Sequence, residues 1–335
     1  MKVCVVGAGA IGGYVGVQLA RSGVDVSLVA RGPNLAAIRA HGLRLQINGA
    51  ELLAHVPCTE DPSLLPPQDY VILTVKAHDV PPLANSLKPL LGPNTTLVTA
   101  TNGLPYWYFY GTVPFAGTTL DSIDPGGVQW RAFGPQRAIG CVVFPAAELI
   151  SPGIIRHEHG NKFPIGEPDG SMSARLRTLQ ELMQAAGLDA PMRDDIRDEI
   201  WLKLAGNVCF NPISALTHAT IDVIASDPGT RGICAAMMEE TRAVGMSLGV
   251  RMRVDTERRL SGAAAMGPHR MSMLQDLERG KPMEVEQLVG VVSELGRLTG
   301  VPTPTVDVVL ALIRQRAATA AEVAAPDAAP VSQAA

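Results

Sequence analysis

Gly7, Gly9 and Gly12 form a G-x-G-x-x-G run directly after the apolar stretch 3–6, and the chemistry this suits is phosphate binding. Gly7 permits a tight turn, Gly9 lets the backbone approach a pyrophosphate, and Gly12 lets a following helix pack closely on the strand. Ala10 and Ile11 join the glycines as cofactor-binding positions, at the start of a helix read over 11–22 whose unpaired N–H groups and dipole favour an anion. Gly23 is placed to end it. A glycine triplet alone is a weak signal; strand, turn and helix in this order give it weight.

The second strand, 25–29, should end beside the adenosine ribose of a bound dinucleotide. NAD-binding chains usually place Asp or Glu there, to accept hydrogen bonds from the ribose hydroxyls. This chain reads Leu28-Val29-Ala30-Arg31-Gly32. Arg31 offers a guanidinium fork to a phosphate, which points to NADPH as the cofactor, the bland alternative being a solvated surface arginine.

Lys203, Asn207 and Asn211 are spaced four apart, which advances only about 40° around a helix and makes one polar stripe. Trp201, Leu204, Ala205 and Val208 supply a separate apolar face. Pro212 should end or kink the helix read over 194–211 at Asn211. Such a stripe can be a plain solvated face, but two asparagines are poor choices for a helix that needs them only for solubility. A second polar cluster, Ser272 and Gln275 with Glu284 beyond, follows. Glu284 reads as part of the first turn of a helix running through Leu298, where an acid also suits the dipole.

Taken in order, GAGAIG, Arg31, TVKA with Lys76, Asn102-Gly103, KLAGNVCFNPISALT and SMLQDLERGKPMEVE resemble the ketopantoate reductase family over nearly the whole chain up to about Arg316. The resemblance implies an N-terminal Rossmann domain, a helical C-terminal domain, NADPH as hydride donor, and reduction of 2-dehydropantoate to pantoate on the route to pantothenate and coenzyme A. It implies Lys203 as general acid and Glu284 as the carboxylate holding the substrate hydroxyl. Ser272 becomes a substrate carboxylate contact, Asn207 and Asn211 become substrate-orienting amides, and Lys76 and Asn102 stand at the cofactor and active-site edge. The chemistry fits: hydride arriving at a 2-keto carbon drives negative charge onto its oxygen, which a lysine ammonium can stabilise and then protonate.

The elements that must position these residues read as α/β: a Rossmann-type doubly wound sheet followed by an all-α domain, with a cleft between them. The expected division is 1–193 for the NADP-binding domain, 194–316 for the helical substrate domain, and 317–335 for an Ala/Pro-rich mobile tail. The 335 residues suit two domains, 47% hydrophobic content excludes disorder, and a net charge of −4 gives no support for a nucleic-acid partner. Strands are read at 43–47 and 52–56, joined by an Asn48-Gly49 hairpin turn, and at 70–75 and 95–100. Five scattered cysteines without C-x-x-C spacing read as reduced core thiols. With no membrane span and no signal peptide ahead of the first strand, a cytoplasmic enzyme follows, and a homodimer stays open.

One feature departs from the family pattern, and a histidine pair invites a separate reading. Tyr106 to Tyr110 are five consecutive aromatics in a chain only 4% aromatic; they could lid the pocket, reshape it for another 2-keto acid, sit at a subunit interface, or fold over their own cluster. His157 and His159 would share one face of a strand, without a third metal ligand, so no metal is expected. Three readings remain: a 2-dehydropantoate reductase, a reductase of another branched or aryl 2-keto acid, and a non-catalytic NADPH sensor.

Overall fold

The computed structural model describes residues 1–324 and divides the chain at Ile200/Trp201 into two compact units. The first carries every strand found among the described residues: β1 (Lys2–Val6), β2 (Asp25–Val29), β3 (Leu43–Ile47), β4 (Ala50–Ala54), β5 (Cys58–Thr59), β6 (Gln68–Leu73), β7 (Leu91–Thr99), β8 (Ala138–Cys141), β9 (Ala146–Ser151), β10 (Ile154–His159) and β11 (Ile165–Gly166). Its helices are α1 (Ala10–Arg21), α2 (Gly32–His41), α3 (Val80–Leu83), α4 (Val128–Phe133) and α5 (Ala174–Ala185).

A seven-stranded sheet runs in the order β11-β8-β7-β6-β1-β2-β5. It is parallel except for β11, which pairs antiparallel with β8. The chain leaves β1 for β2 on one side and returns to β6 on the other, so the strand order reverses at β1. In such sheets a ligand crevice opens at the C-terminal strand ends beside the reversal. The central strands read as continuous apolar runs because both faces are covered; Val3 to Val6 are fully buried.

The Asn48-Gly49 turn closes β3 onto β4 with positive φ at both residues (50° and 76°), as a primed hairpin turn requires. This hairpin belongs to a separate four-stranded sheet, β4-β3-β10-β9. α1 is pinched between the two sheets. A Cβ on Gly13 would stand 2.4 Å from Ile155 of β10, and one on Gly16 would stand 3.2 Å from Leu28 of β2. Gly12, Gly13 and Gly16 of α1 therefore serve close packing.

The second unit is helical among the described residues. α6 (Ile196–Thr217) enters it, followed by α7 (Ile221–Ser226), α8 (Pro228–Ser247), α9 (Thr256–Ala264), α10 (Ser272–Glu278), α11 (Val291–Thr299) and α12 (Pro304–Ala324). Three sequence expectations differ here. α6 does not stop at Asn211: Pro212 lies inside it, and the helix continues because Ile213 and Ala215 beyond the proline are buried at 4% and 0% exposure. That burial offsets the lost amide donor. The units part at Ile200/Trp201 rather than at Arg193, since Ile196 packs against Gly140 and Gly166 of the first unit. The tail read as mobile from Ala317 is helical as far as Ala324, alanine being the strongest helix former; 325–335 lie outside the described residues.

All five cysteines are buried thiols. Burial pushes Cys4 up to about 12 and Cys58 up to about 11. No helix among the described residues is long and apolar enough to cross a membrane.

Candidate active site

In the sheet unit the glycine run builds its cradle from backbone. Gly7 takes φ 102°, and a Cβ there would sit 2.6 Å from Val75 Cγ1 and 2.9 Å from Val75 N. Gly12 is tighter still, 1.9 Å from the Gly7 carbonyl oxygen for an added Cβ. Only glycine satisfies both. Gly9 differs, since its Cβ would meet nothing within 4 Å; it faces the open space that a pyrophosphate needs. Gly9 is also the N-cap of α1 and supplies no side-chain cap, and the first turn carries no acid. The helix opening at Ala10 and Ile11 thus presents N–H groups and a positive dipole end without a competing carboxylate, which fits a dinucleotide phosphate.

Two side chains that sequence reasoning passed over hold this loop. Thr74 Oγ1 lies 3.0 Å from the Val6 carbonyl and 2.8 Å from that of Gly7. Asn34 Nδ2 donates to the Ala8 carbonyl while its Oδ1 accepts from Gly153 N at 2.7 Å. Asn34 thereby ties the loop to the β9–β10 turn. Its only sequence signal was a position in the first turn of α2, just past Arg31.

Arg31, Lys76 and Asn102 follow β2, β6 and β7, so the parallel sheet sets all three at the edge where β1 delivers the glycine loop. Arg31 is 81% exposed and pairs with Asp79 at 3.7 Å, an acid absent from the sequence reading. Lys76 and Asn102 are half-buried.

In the helical unit, Trp201, Leu204, Ala205 and Val208 are buried, as the apolar face requires, while Lys203 and Asn207 are half-buried. Asn211 is 1% exposed. Its Oδ1 accepts from Ser272 Oγ at 3.0 Å and from Met273 N at 3.1 Å, so two residues 61 positions apart in sequence meet at the start of α10. The carboxamide satisfies an N–H that the helix start leaves orphaned. Asn211 Nδ2 is buried without a hydrogen-bond partner among the described residues. Gln275 turns away, donating to the Arg270 carbonyl at 2.9 Å, and does not join Ser272.

Glu284 is 6% exposed. It stands just before the helix rather than in its first turn: Val285 is the first helical residue and a π-helical turn, Glu286–Gly290, precedes α11. Wide turns of this kind occur mostly inside helices near functional residues.

The aromatic segment is core. Tyr106, Trp107, Tyr108 and Phe109 are each at most 4% exposed, and burial pushes the Tyr106 phenol far above its ordinary range. Trp107 Nε1 donates to Thr99 Oγ1 at 3.0 Å. The Arg197 guanidinium lies over the Trp107 and Tyr108 rings, at 5.7 and 5.6 Å, and donates to the carbonyls of Tyr108, Tyr110 and Pro168. Of the four roles open to this segment, folding over its own cluster is the one these contacts describe. The His157 ring packs against Tyr14, tilted by 39° with centroids 4.8 Å apart, and no metal-ligand grouping of three His, Cys, Asp or Glu occurs among the described residues.

Two family models match in succession: Ketopantoate reductase PanE/ApbA over residues 3–170, and Ketopantoate reductase PanE/ApbA C terminal over residues 195–317. A curated 2-dehydropantoate 2-reductase of Mesorhizobium japonicum is 53% identical over 319 residues, covering 95% of this chain and 98% of its own. A solved structure from Ralstonia solanacearum, described as a ketopantoate reductase, superposes with a TM-score of 0.91 at 40% identity, covering 95% of this chain and 98% of its own. A D-mandelate dehydrogenase solved with NADH and anilino(oxo)acetate shares the fold, with a TM-score of 0.82 at 20% identity over 96% of this chain and 99% of its own.

Proposed function

The chain belongs to the ketopantoate reductase family, and from that membership we propose that it reduces 2-dehydropantoate to pantoate with NADPH, in the cytoplasm, as a step toward pantothenate and coenzyme A. The observation that carries the reading is the 53% identity to a curated 2-dehydropantoate 2-reductase along 95% of the chain. When bound, NADPH supplies the hydride that reaches the C2 ketone. Every other requirement falls on the chain's own side chains.

Gly7, Gly9, Ala10, Ile11 and Gly12 hold the pyrophosphate, and Arg31 reads the 2′-phosphate; Lys76 and Asn102 line the nicotinamide side of the same edge. Lys203 stabilises the charge that develops on the ketone oxygen and donates the proton that completes the alcohol. Glu284 accepts a hydrogen bond from the substrate hydroxyl. Asn207 and Ser272 orient the acid. Asn211 has its carbonyl committed to Ser272 and Met273, so its service is to fix Ser272 and to offer Nδ2.

A 2-keto acid with a bulkier side chain had its support in the aromatic segment, and that support falls away with Tyr106 to Phe109 packed inside the sheet unit. The test is optical. NADPH oxidation is followed against 2-dehydropantoate and a panel of branched and aryl 2-keto acids. Preference for 2-dehydropantoate is expected; faster turnover of another acid would replace the substrate, and no turnover with any would leave a nucleotide-binding protein.

A further inference from the structure

Arg31 lies two residues past β2 and Asp79 ends the short turn past β6, and these two strands flank β1 on opposite sides. The two side chains therefore approach one another across the C-terminal end of β1, where the glycine loop begins, and meet at 3.7 Å. Asp79 is held in place by its own backbone, whose N–H donates to the Lys76 carbonyl at 2.9 Å. Arg31 is anchored only as the N-cap residue of α2, and its side chain is 81% exposed against 36% for Asp79. A pair this open to solvent contributes little to folding. Its interest lies in where it stands.

A guanidinium paired with a carboxylate is drawn away from an incoming phosphate, and the carboxylate stays a few ångströms from that dianion. Both effects disfavour a phosphorylated ribose. An unphosphorylated ribose meets neither, and a carboxylate at this corner is the acceptor its hydroxyls ordinarily use.

We propose that Asp79 is a specificity-determining residue for the cofactor: it competes with the NADPH 2′-phosphate for Arg31 and repels it, narrowing the preference for NADPH over NADH. The proposal rests on Arg31 as the reader of that phosphate.

The experiment measures binding without any keto acid, so it stands apart from the identity of the substrate. NADPH and NADH are titrated by fluorescence against the wild type, Asp79→Asn, Arg31→Ala and the double variant, at low and high salt, with thermal melts to check folding. Asp79→Asn should tighten NADPH about three- to tenfold, the range expected for one neighbouring charge at partial exposure, and move NADH less than about twofold. The gain should shrink at high salt and in the Arg31→Ala background. Equal shifts for both cofactors, weaker NADPH binding, or a gain undiminished without Arg31 would overturn the role of Asp79 alone. If Arg31→Ala costs NADPH nothing, the phosphate reading of Arg31 falls and the proposal with it.

Discussion

The glycine cradle of the sheet unit and the polar stripe of the helical unit meet opposite demands. The cradle is made of backbone: its shape depends on side chains that are missing, with added Cβ atoms at Gly7 and Gly12 running into Val75 and the Gly7 carbonyl. The stripe is made of side chains on a helix that tolerates a proline and keeps going. Damage at Gly7 or Gly12 should therefore spread into the fold, whereas loss of the half-buried Lys203 should leave the fold intact; Asn211, buried and tied to Ser272, stands between the two. The contrast teaches that a surface shaped by backbone and one carried on side chains fail in different ways.

The largest effect should break the comparison most directly. Lys203→Ala is expected to lower turnover by about 10²- to 10⁴-fold, the usual contribution of a positioned proton donor, with NADPH affinity and melting temperature unchanged. Near-normal turnover would remove Lys203 from the mechanism. Glu284→Ala comes next: losing a hydrogen bond to a charged group, worth about 1.5–3 kcal/mol, should raise KM by roughly 10- to 150-fold. An unchanged KM would place the carboxylate elsewhere.

A glycine pair sharpens the contrast within the cradle. Gly12→Ala forces a Cβ to within 1.9 Å of a backbone oxygen, so both stability and cofactor binding should fall, the former by about 1–3 kcal/mol as overpacking typically costs. Gly9→Ala adds a methyl to open space and should lose NADPH affinity while the melting temperature holds. Equal melting curves for the two variants would contradict the packing described for α1. Asn211→Ala strands two donors and should cost about 1–3 kcal/mol, and the smallest effect belongs to its partner, Ser272→Ala, at about 0.5–1.5 kcal/mol, both read from denaturant midpoints.

Legibility in the sequence followed the same line. Contiguous motifs were readable: β1, the glycine turn and α1 appeared where expected, and the Asn48-Gly49 hairpin took the register its dipeptide implies. The strand ends drifted, β6 closing at Leu73 rather than Val75, because apolar content does not mark where a ladder stops. Partnerships between distant residues were not readable. Nothing adjacent to Asn211 announces Ser272, and nothing near Arg31 announces Asp79. Of the two outcomes read for Pro212, an end or a kink, the end does not occur because the local loss of an amide donor is outweighed by burial of the residues after it. The aromatic run left four roles open for a related reason, since Arg197, 87 to 89 positions away from the Tyr108 and Tyr110 carbonyls it binds, lies too far off in sequence to choose among them.

The wide turn at Glu286–Gly290 sets a spacing. It accommodates one residue more than an ordinary helical turn would, so deleting one of its five would let the segment close into an α-turn and draw the chain ahead of it toward α11 by one residue's rise, about 1.5 Å. Glu284 would then be displaced along the helix axis with its own identity untouched. Length, at this one place, governs placement as strictly as residue type does.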